Sequence, residues 1–103
     1  MKNYNVVLSE QAELDFQEYI DHITYEYKAP LTALRHYEDF FATLNILKRS
    51  PESFSIQTSP TLIQQFGFGV RRINFNKMAV FYTIHNNIVL IRQIVAGAII
   101  KDI

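Results

Sequence analysis

The chain contains no cysteine and no tryptophan, and only three glycines and three prolines occur among its 103 residues. Without cysteine, disulfides and thiolate chemistry are excluded, and redox conditions do not indicate a compartment. No apolar run reaches the length that spans a bilayer. The opening stretch MKNYNVVLSEQAELDF turns acidic too soon for a signal peptide. We therefore expect a cytoplasmic protein that makes no membrane contact.

The chain also has no net charge, because ten Lys and Arg residues balance ten Asp and Glu residues. The distribution is nevertheless uneven: residues 1–50 carry a net charge of −3 and residues 51–103 one of +3. A basic half suits contact with nucleic acid or an acidic partner, although helix surfaces ordinarily carry Glu and Asp. The apolar fraction of 49% and the length predict one globular domain over residues 1–103.

The most apolar stretch is VRRINFNKMAVFYTIHNNIVLIRQIV, residues 70–95. It predicts three strands, Val70–Phe75, Met78–Ile84 and Ile88–Val95, wound as an antiparallel meander. Two short polar breaks separate them, and each contains Asn, which tolerates the positive φ of tight turns. Both faces of these strands are apolar, so we expect the face that the helices leave open to meet a partner.

The first half of the chain predicts a helical hairpin. Ser9 is placed as an N-cap for a helix over Glu10–Tyr27, and a second helix over Pro30–Lys48 starts at a proline. Apolar residues recur at steps of three and four in both helices. We expect the buried stripe to include the following residues: Phe16, Ile20, Phe41 and Leu44.

The remaining segments complete an α+β fold. Asn3–Leu8 is a short β-prone run that we expect at one edge of the sheet. Glu52–Gly69 predicts a packed loop with one helical turn around Thr61–Gln65. The N-terminal strand and the helical hairpin should therefore pack on a mainly antiparallel four-stranded sheet.

The residues offer little conventional catalytic chemistry. Three scattered histidines do not form a metal site, and no nucleophile motif or complete phosphate loop is present, so we expect no metal and no cofactor. The basic residues of the strands are more informative. Arg71 and Arg72 must point to opposite faces, and Arg92 interrupts an apolar strand. The aliphatic part of Arg92 could lie along the sheet with the guanidinium in solvent, or the guanidinium could contact a phosphate or carboxylate.

Three segments resemble the RelE/ParE superfamily of type II toxin–antitoxin toxins, which includes plasmid stabilisation proteins. They are VVLSEQAELDFQEYIDHI, ATLNILKRSPES and FGVRRINFNKMAVFYTIHNNIVLIRQIVAG, in the order in which that family has them. The resemblance implies a toxin that a cognate antitoxin neutralises and that inhibits growth. It also implies Arg71, Tyr82 and Arg92 as candidate catalytic residues, by analogy with the family's ribosome-dependent nucleases.

The chain departs from that pattern at its C-terminal end, where Ala98 and Ile99 replace the basic residues of the nucleases. This departure favours ParE-like inhibition of a protein target such as DNA gyrase. The alternatives are a RelE-like endonuclease that cleaves mRNA on the ribosome, and a non-toxic interaction module that keeps the fold.

The final segment, Val95–Ile103, is unusually aliphatic. We expect it to lie in or beside an interface with the antitoxin or with a second copy of the chain in a homodimer. The alternative is that its isoleucines fold back onto the helical hairpin. The expected binding residues are Arg71, Arg72, Arg92, Ile99 and Ile100.

Overall fold

Four strands form one sheet in the computed structural model, which describes residues 3–96. They are β1 (Asn5–Leu8), β2 (Arg71–Phe75), β3 (Met78–His85) and β4 (Ile88–Ala96), in the spatial order β1-β4-β3-β2. β1 pairs with β4 in parallel, and the other two pairings are antiparallel. The predicted α+β class, the meander and the N-terminal edge strand are therefore confirmed.

Tight turns at Asn residues connect the meander. Asn76 has φ 51° and Asn86 has φ 56°, which is the left-handed region that the sequence predicted for these turns. β2 and β3 then pair in register from Phe75 opposite Met78. The hairpin turns thus fix which side chains share a face of the sheet.

The helices also follow the sequence prediction closely. They are α1 (Glu10–Asp21), which continues as a π-helical turn over His22–Glu26, α2 (Pro30–Arg49) and a short α3 (Pro60–Phe66). Ser9 caps α1 as expected, because its hydroxyl oxygen accepts a hydrogen bond from the Ala12 N–H at 3.1 Å. None of the helices between residues 3 and 96 is long and apolar enough to cross a membrane.

α1 and α2 cover one face of the sheet, which we call the helix-covered face. Phe16 of α1 stacks on Phe40 of α2 with ring centroids 4.1 Å apart, and both rings pack near Phe75 of β2. The predicted burial of Phe16 and Ile20 is confirmed, and Leu44 is half-buried. The core of this face also includes the following buried residues: Ala12, Ile23, Leu47, Met78, Val80, Tyr82, Val89, Ile91 and Ile94.

The predicted burial of Phe41 is wrong, because 53% of this residue is exposed. The buried positions of α2 are Ala33, Phe40, Thr43 and Leu47, a stripe turned by about one residue from the predicted one. Small Ala33 and polar Thr43 carry little weight in a hydrophobic pattern, whereas Phe41 and Leu34 carry much. The large side chains therefore indicated the wrong side of the helix.

The opposite face of the sheet is covered in part by the chain itself. Leu62 of α3 packs with Val70, Ala79 and Phe81 in a second, smaller core. The predicted helical turn at Thr61–Gln65 is therefore a seven-residue helix that buries part of this face. The predicted contacts of Ala98, Ile99, Ile100 and the rest of the segment from residue 97 onward lie outside the described residues.

Candidate functional site

Two arginines lie on the sheet face opposite α1 and α2, which we call the arginine face. The Arg72 guanidinium carbon lies 6.0 Å from the centroid of the Phe81 ring, and the Arg92 guanidinium carbon lies 5.4 Å from that of Phe66 in α3. Arg72 Nε also donates to Asn74 Oδ1 at 2.9 Å. Stacking on a ring orients a guanidinium while its N–H edge stays free to bind a carboxylate or phosphate.

Arg92 owes its position to a β-bulge in β4. Ile91 lies opposite Tyr82 and Gln93 lies opposite Phe81, so Arg92 is an extra residue between two adjacent pairs. A bulge bends its strand and redirects one side chain. Here it lets Ile91 and Ile94 both enter the core of the helix-covered face, while Arg92 extends over Phe66 on the other side.

Residues of α1 and its cap contact the backbone of this bulge. The Ser9 hydroxyl donates to the Arg92 carbonyl oxygen at 3.0 Å, and Asp15 Oδ2 accepts the Ile94 N–H at 3.0 Å. These two backbone groups lie on either side of Gln93, immediately after the bulged residue. The start of the first helix and the bulge of the last strand are thus held together.

Arg71 and Tyr82 form a different cluster, on the helix-covered face. They are cross-strand neighbours, and both bind the turn between α2 and α3. Arg71 Nη1 donates to the carbonyl oxygens of Glu52 and Phe54 at 3.1 and 2.6 Å, and the Tyr82 hydroxyl donates to that of Pro51 at 2.6 Å. Arg71 therefore bonds to main-chain carbonyls of this turn.

The Tyr82 phenol has no access to solvent, since the residue is 0% exposed. Burial raises the pKa of Tyr82 to about 12, although the neighbouring Arg71 guanidinium acts to lower it. A phenol that is buried and already donates to a main-chain carbonyl is poorly placed for proton transfer to or from a substrate.

The three candidate catalytic residues are therefore not brought together. Arg71 and Tyr82 are adjacent on the helix-covered face, whereas the Arg92 guanidinium lies on the arginine face beside α3. Arg72 is the residue that shares a face with Arg92. Among residues 3–96, neither of these two guanidiniums has an ion pair with a carboxylate, and no cluster of potential metal ligands forms.

The sequence interpretation missed Phe68, which is 88% exposed in the turn between α3 and β2. Gly67 and Gly69 on either side have φ values of 90° and 92°, so only glycine fits this turn comfortably. The signal was present in the sequence as Phe-Gly-Phe-Gly. An aromatic side chain displayed between two such glycines is a typical contact residue of an interface.

A second exposed surface lies on the helical hairpin, and we call it the hairpin groove. It is a cavity of about 290 Å³ whose lining includes Glu13, Phe16, Tyr37, Phe41 and Leu44. Leu14 and Leu34 are also more than half exposed on these helices. Apolar side chains concentrated in this way mark a surface that another protein covers.

The sequence model of the ParE toxins of the type II toxin–antitoxin system parDE matches residues 6–99. The chain belongs to the ParE toxin family. Because the match covers nearly the whole chain, the family resemblance that the sequence predicted is confirmed, and the protein is a toxin of the type II class.

Solved structures agree with this assignment of the ParE-family toxin. The chromosomal ParDE system of P. aeruginosa matches with a TM-score of 0.71 at 16% identity, over 90% of this chain and 95% of that one. The RelBE2 toxin–antitoxin complex of Mycobacterium tuberculosis matches with a TM-score of 0.58 at 16% identity, over 91% and 98%.

YafQ from E. coli also matches, with a TM-score of 0.52 at 13% identity, over 92% of this chain and 94% of that one. No protein with a curated description matches significantly in sequence. At these identities the solved structures establish the shared fold of the toxin.

Proposed function

We propose that this ParE-family toxin acts in the cytoplasm by binding and inhibiting a protein target such as DNA gyrase, and that a cognate antitoxin neutralises it. The observation that carries this proposal is the position of Tyr82. Its hydroxyl is buried against the Pro51 carbonyl, on the opposite side of the sheet from the Arg92 guanidinium. Inhibition by binding requires a presented surface and no proton-transfer group.

The arginine face supplies such a surface. Arg72 and Arg92 present stacked guanidiniums, and the turn of Phe68 lies at the end of α3, which packs on this face. The half of the chain that contains them carries a net charge of +3. We therefore assign target contact to Arg72, Arg92 and Phe68, and a structural role to Arg71.

The direct test combines growth with a purified enzyme. Induction of the toxin alone should arrest bacterial growth, and the purified protein should inhibit DNA supercoiling by gyrase. Arg92→Ala should weaken this inhibition about tenfold or more, as expected when a central arginine of an interface is lost. Arg35→Ala, which removes an exposed arginine of α2 on the other side of the molecule, is the matched control.

If the Arg92→Ala variant inhibits gyrase as strongly as the original protein, the arginine face does not contact the target. Failure to inhibit gyrase, together with growth arrest, would exclude gyrase as the target. Absence of growth arrest would support the non-toxic interaction module.

The second candidate function is mRNA cleavage on the ribosome. Two guanidiniums stacked on aromatic rings of the same sheet face could also contact RNA phosphates. We expect little or no cleavage of mRNA in translating ribosomes, because Ala98 and Ile99 replace the family's basic end and Tyr82 is buried. Strong, codon-linked cleavage that disappears with Arg92→Ala would establish the nuclease instead.

We assign antitoxin contact to the hairpin groove and to the segment Val95–Ile103. Phe41→Ser should weaken capture of the co-expressed product of the neighbouring short reading frame, with little change in the melting temperature of the toxin.

A joint Ile99→Ser and Ile100→Ser variant tests the segment in the same way. If the melting temperature of the toxin falls by several degrees while capture of the antitoxin is intact, those isoleucines lie in the core. If self-association of the toxin is lost instead, the segment forms a homodimer interface.

A further inference from the structure

β1 pairs with the edge of β4 only as far as Ile91. β1 ends at Leu8 opposite Ile91, whereas β4 continues to Ala96. Backbone N–H and C=O groups on an open strand edge need other partners. The segment that follows β1 supplies them, because the Ser9 N–H continues the ladder to the Ile91 carbonyl at 2.9 Å and the chain then enters α1.

Ser9 and Asp15 bind the next two groups along this edge. The Ser9 hydroxyl donates to the Arg92 carbonyl, and Asp15 Oδ2 accepts the Ile94 N–H. Each side chain is itself held by its own helix: the Ser9 oxygen caps the Ala12 N–H, and Asp15 Oδ1 accepts from Gln11 Nε2 at 2.7 Å. Each of the two side chains therefore bonds both to its own helix and to β4.

Hydrophobic burial alone does not explain the geometry of Arg92. Burial of both Ile91 and Ile94 in one core requires an extra residue between them, because strict alternation would send Ile94 to the other face. That requirement does not determine whether Arg92 or Gln93 leaves the regular ladder. Hydrogen bonds to the carbonyl oxygens of Ile91 and Arg92, which lie before and after the Arg92 side chain, and to the Ile94 N–H make this selection.

We propose that Ser9 and Asp15 are positioning residues for Arg92: they fix the bulge backbone and thereby direct the guanidinium over Phe66 on the arginine face. The functional part of this inference rests on the proposed function, in which Arg92 contacts the target. The geometric part does not depend on the identity of the target.

NMR spectroscopy of the purified toxin tests the geometric part. Asp15→Ala should shift the Arg92 Nε–Hε resonance, because the guanidinium leaves the Phe66 ring, while the Arg72 resonance over Phe81 stays in place as an internal reference. Exchange of the Ile94 amide hydrogen should accelerate about tenfold or more, as expected for the loss of a charge-assisted hydrogen bond.

Three further variants separate positioning from general destabilisation. Asp21→Ala is the matched control, because Asp21 accepts from Gln17 one turn before it on the same helix, as Asp15 does from Gln11. It should leave the Arg92 signal unchanged. Asp15→Asn keeps an acceptor oxygen and should restore most of the original spectrum. Ser9→Gly removes the hydroxyl but keeps an acceptable N-cap, and it should also shift the Arg92 resonance. It provides the test should Asp15→Ala fail to fold.

A double-mutant cycle in the gyrase assay tests the functional part. Asp15→Ala should weaken inhibition severalfold in the original protein and should have no further effect when combined with Arg92→Ala. Additive effects would mean that Asp15 acts elsewhere and would overturn the inference, as would an Arg92 resonance that Asp15→Ala leaves unchanged. Full inhibition by Arg92→Ala would refute the target role of Arg92 but would leave the spectroscopic result valid.

Discussion

At the scale of single residues, Phe40 and Phe41 are neighbours in α2 that meet opposite surroundings. Phe40 is 3% exposed and stacks on Phe16, whereas Phe41 is 53% exposed at the hairpin groove. Phe40→Ala should lower the free energy of unfolding by about 3–5 kcal/mol, because it leaves a cavity in the core.

Phe41→Ala serves as the internal comparison and should cost less than about 1 kcal/mol. Chemical denaturation of the two purified variants measures both values. A larger loss for Phe41 than for Phe40 would mean that α2 presents its other side to the sheet.

Tyr82 predicts a specific loss of stability in alkali. Its pKa is about 12 in the folded protein against an ordinary value of 10.0, so the unfolded chain releases this proton first. The contribution of the protonated Tyr82 phenol to the free energy of unfolding is fully present below pH 10. The free energy of unfolding should fall by about 2–3 kcal/mol as the pH rises through 12.

Tyr82→Phe should reduce that alkaline loss and should cost about 1–2 kcal/mol at pH 7, since the Pro51 carbonyl loses its donor. The pKa values of Tyr4, raised by its hydrogen bond to Glu52, and of Tyr19, raised by burial, affect both proteins alike. Urea titrations at several pH values measure the difference. Parallel pH profiles of the two proteins would show that Tyr82 is not the group that titrates.

At the scale of secondary structure, periodicity and turn chemistry predicted nearly every element within a few residues. The cap at Ser9, the turns at Asn76 and Asn86 and the strand boundaries all depend on local backbone preferences, which the sequence displays directly. The face of α2 could not be read in this way, because the packing of small Ala33 and Thr43 depends on the facing sheet.

The candidate site was less predictable for a similar reason. Arg71, Arg72 and Arg92 were recognisable as unusual residues, but strict alternation places them correctly only if no bulge intervenes. The bulge is set by contacts to Ser9 and Asp15, which lie about 80 residues earlier in the chain. The burial of Tyr82 likewise depends on the turn at Pro51 folding over it.

The short helix α3 contributes two side chains with different contacts, and a pair of variants can distinguish their effects. Leu62→Ala should destabilise the protein by about 2–5 kcal/mol, because Leu62 is 2% exposed in the second core. Phe66→Leu keeps an apolar side chain at a half-buried position but removes the ring under Arg92.

Phe66→Leu should therefore change stability by less than about 1.5 kcal/mol while weakening gyrase inhibition severalfold. Thermal melts and the supercoiling assay measure the two quantities. Unchanged inhibition would show that the ring does not help to present Arg92.

At the scale of the whole molecule, the helical half is acidic and the sheet half is basic. If the arginine face meets an acidic target surface, raising the salt concentration should weaken the inhibition, because ions screen exposed charges over about 10 Å at 0.1 M. A variant that combines Arg72→Ala and Arg92→Ala should show a flatter salt dependence. Equal salt slopes for the two proteins would indicate that contact is made elsewhere.

Because the first strand pairs with the last, a newly synthesised chain can form the hairpin groove earlier than the arginine face. Ser9 and Arg92 are separated by 83 positions, so at about 5–20 residues per second Ser9 waits roughly 4–17 s for its partner. The contacts within the α1–α2 hairpin are closer in sequence and can form sooner. On the proposed assignment, an antitoxin already present in the cell would find its docking groove on the emerging chain before the bulge at Arg92 exists. Neutralisation could then begin during translation, before the toxin has ever presented a completed arginine face.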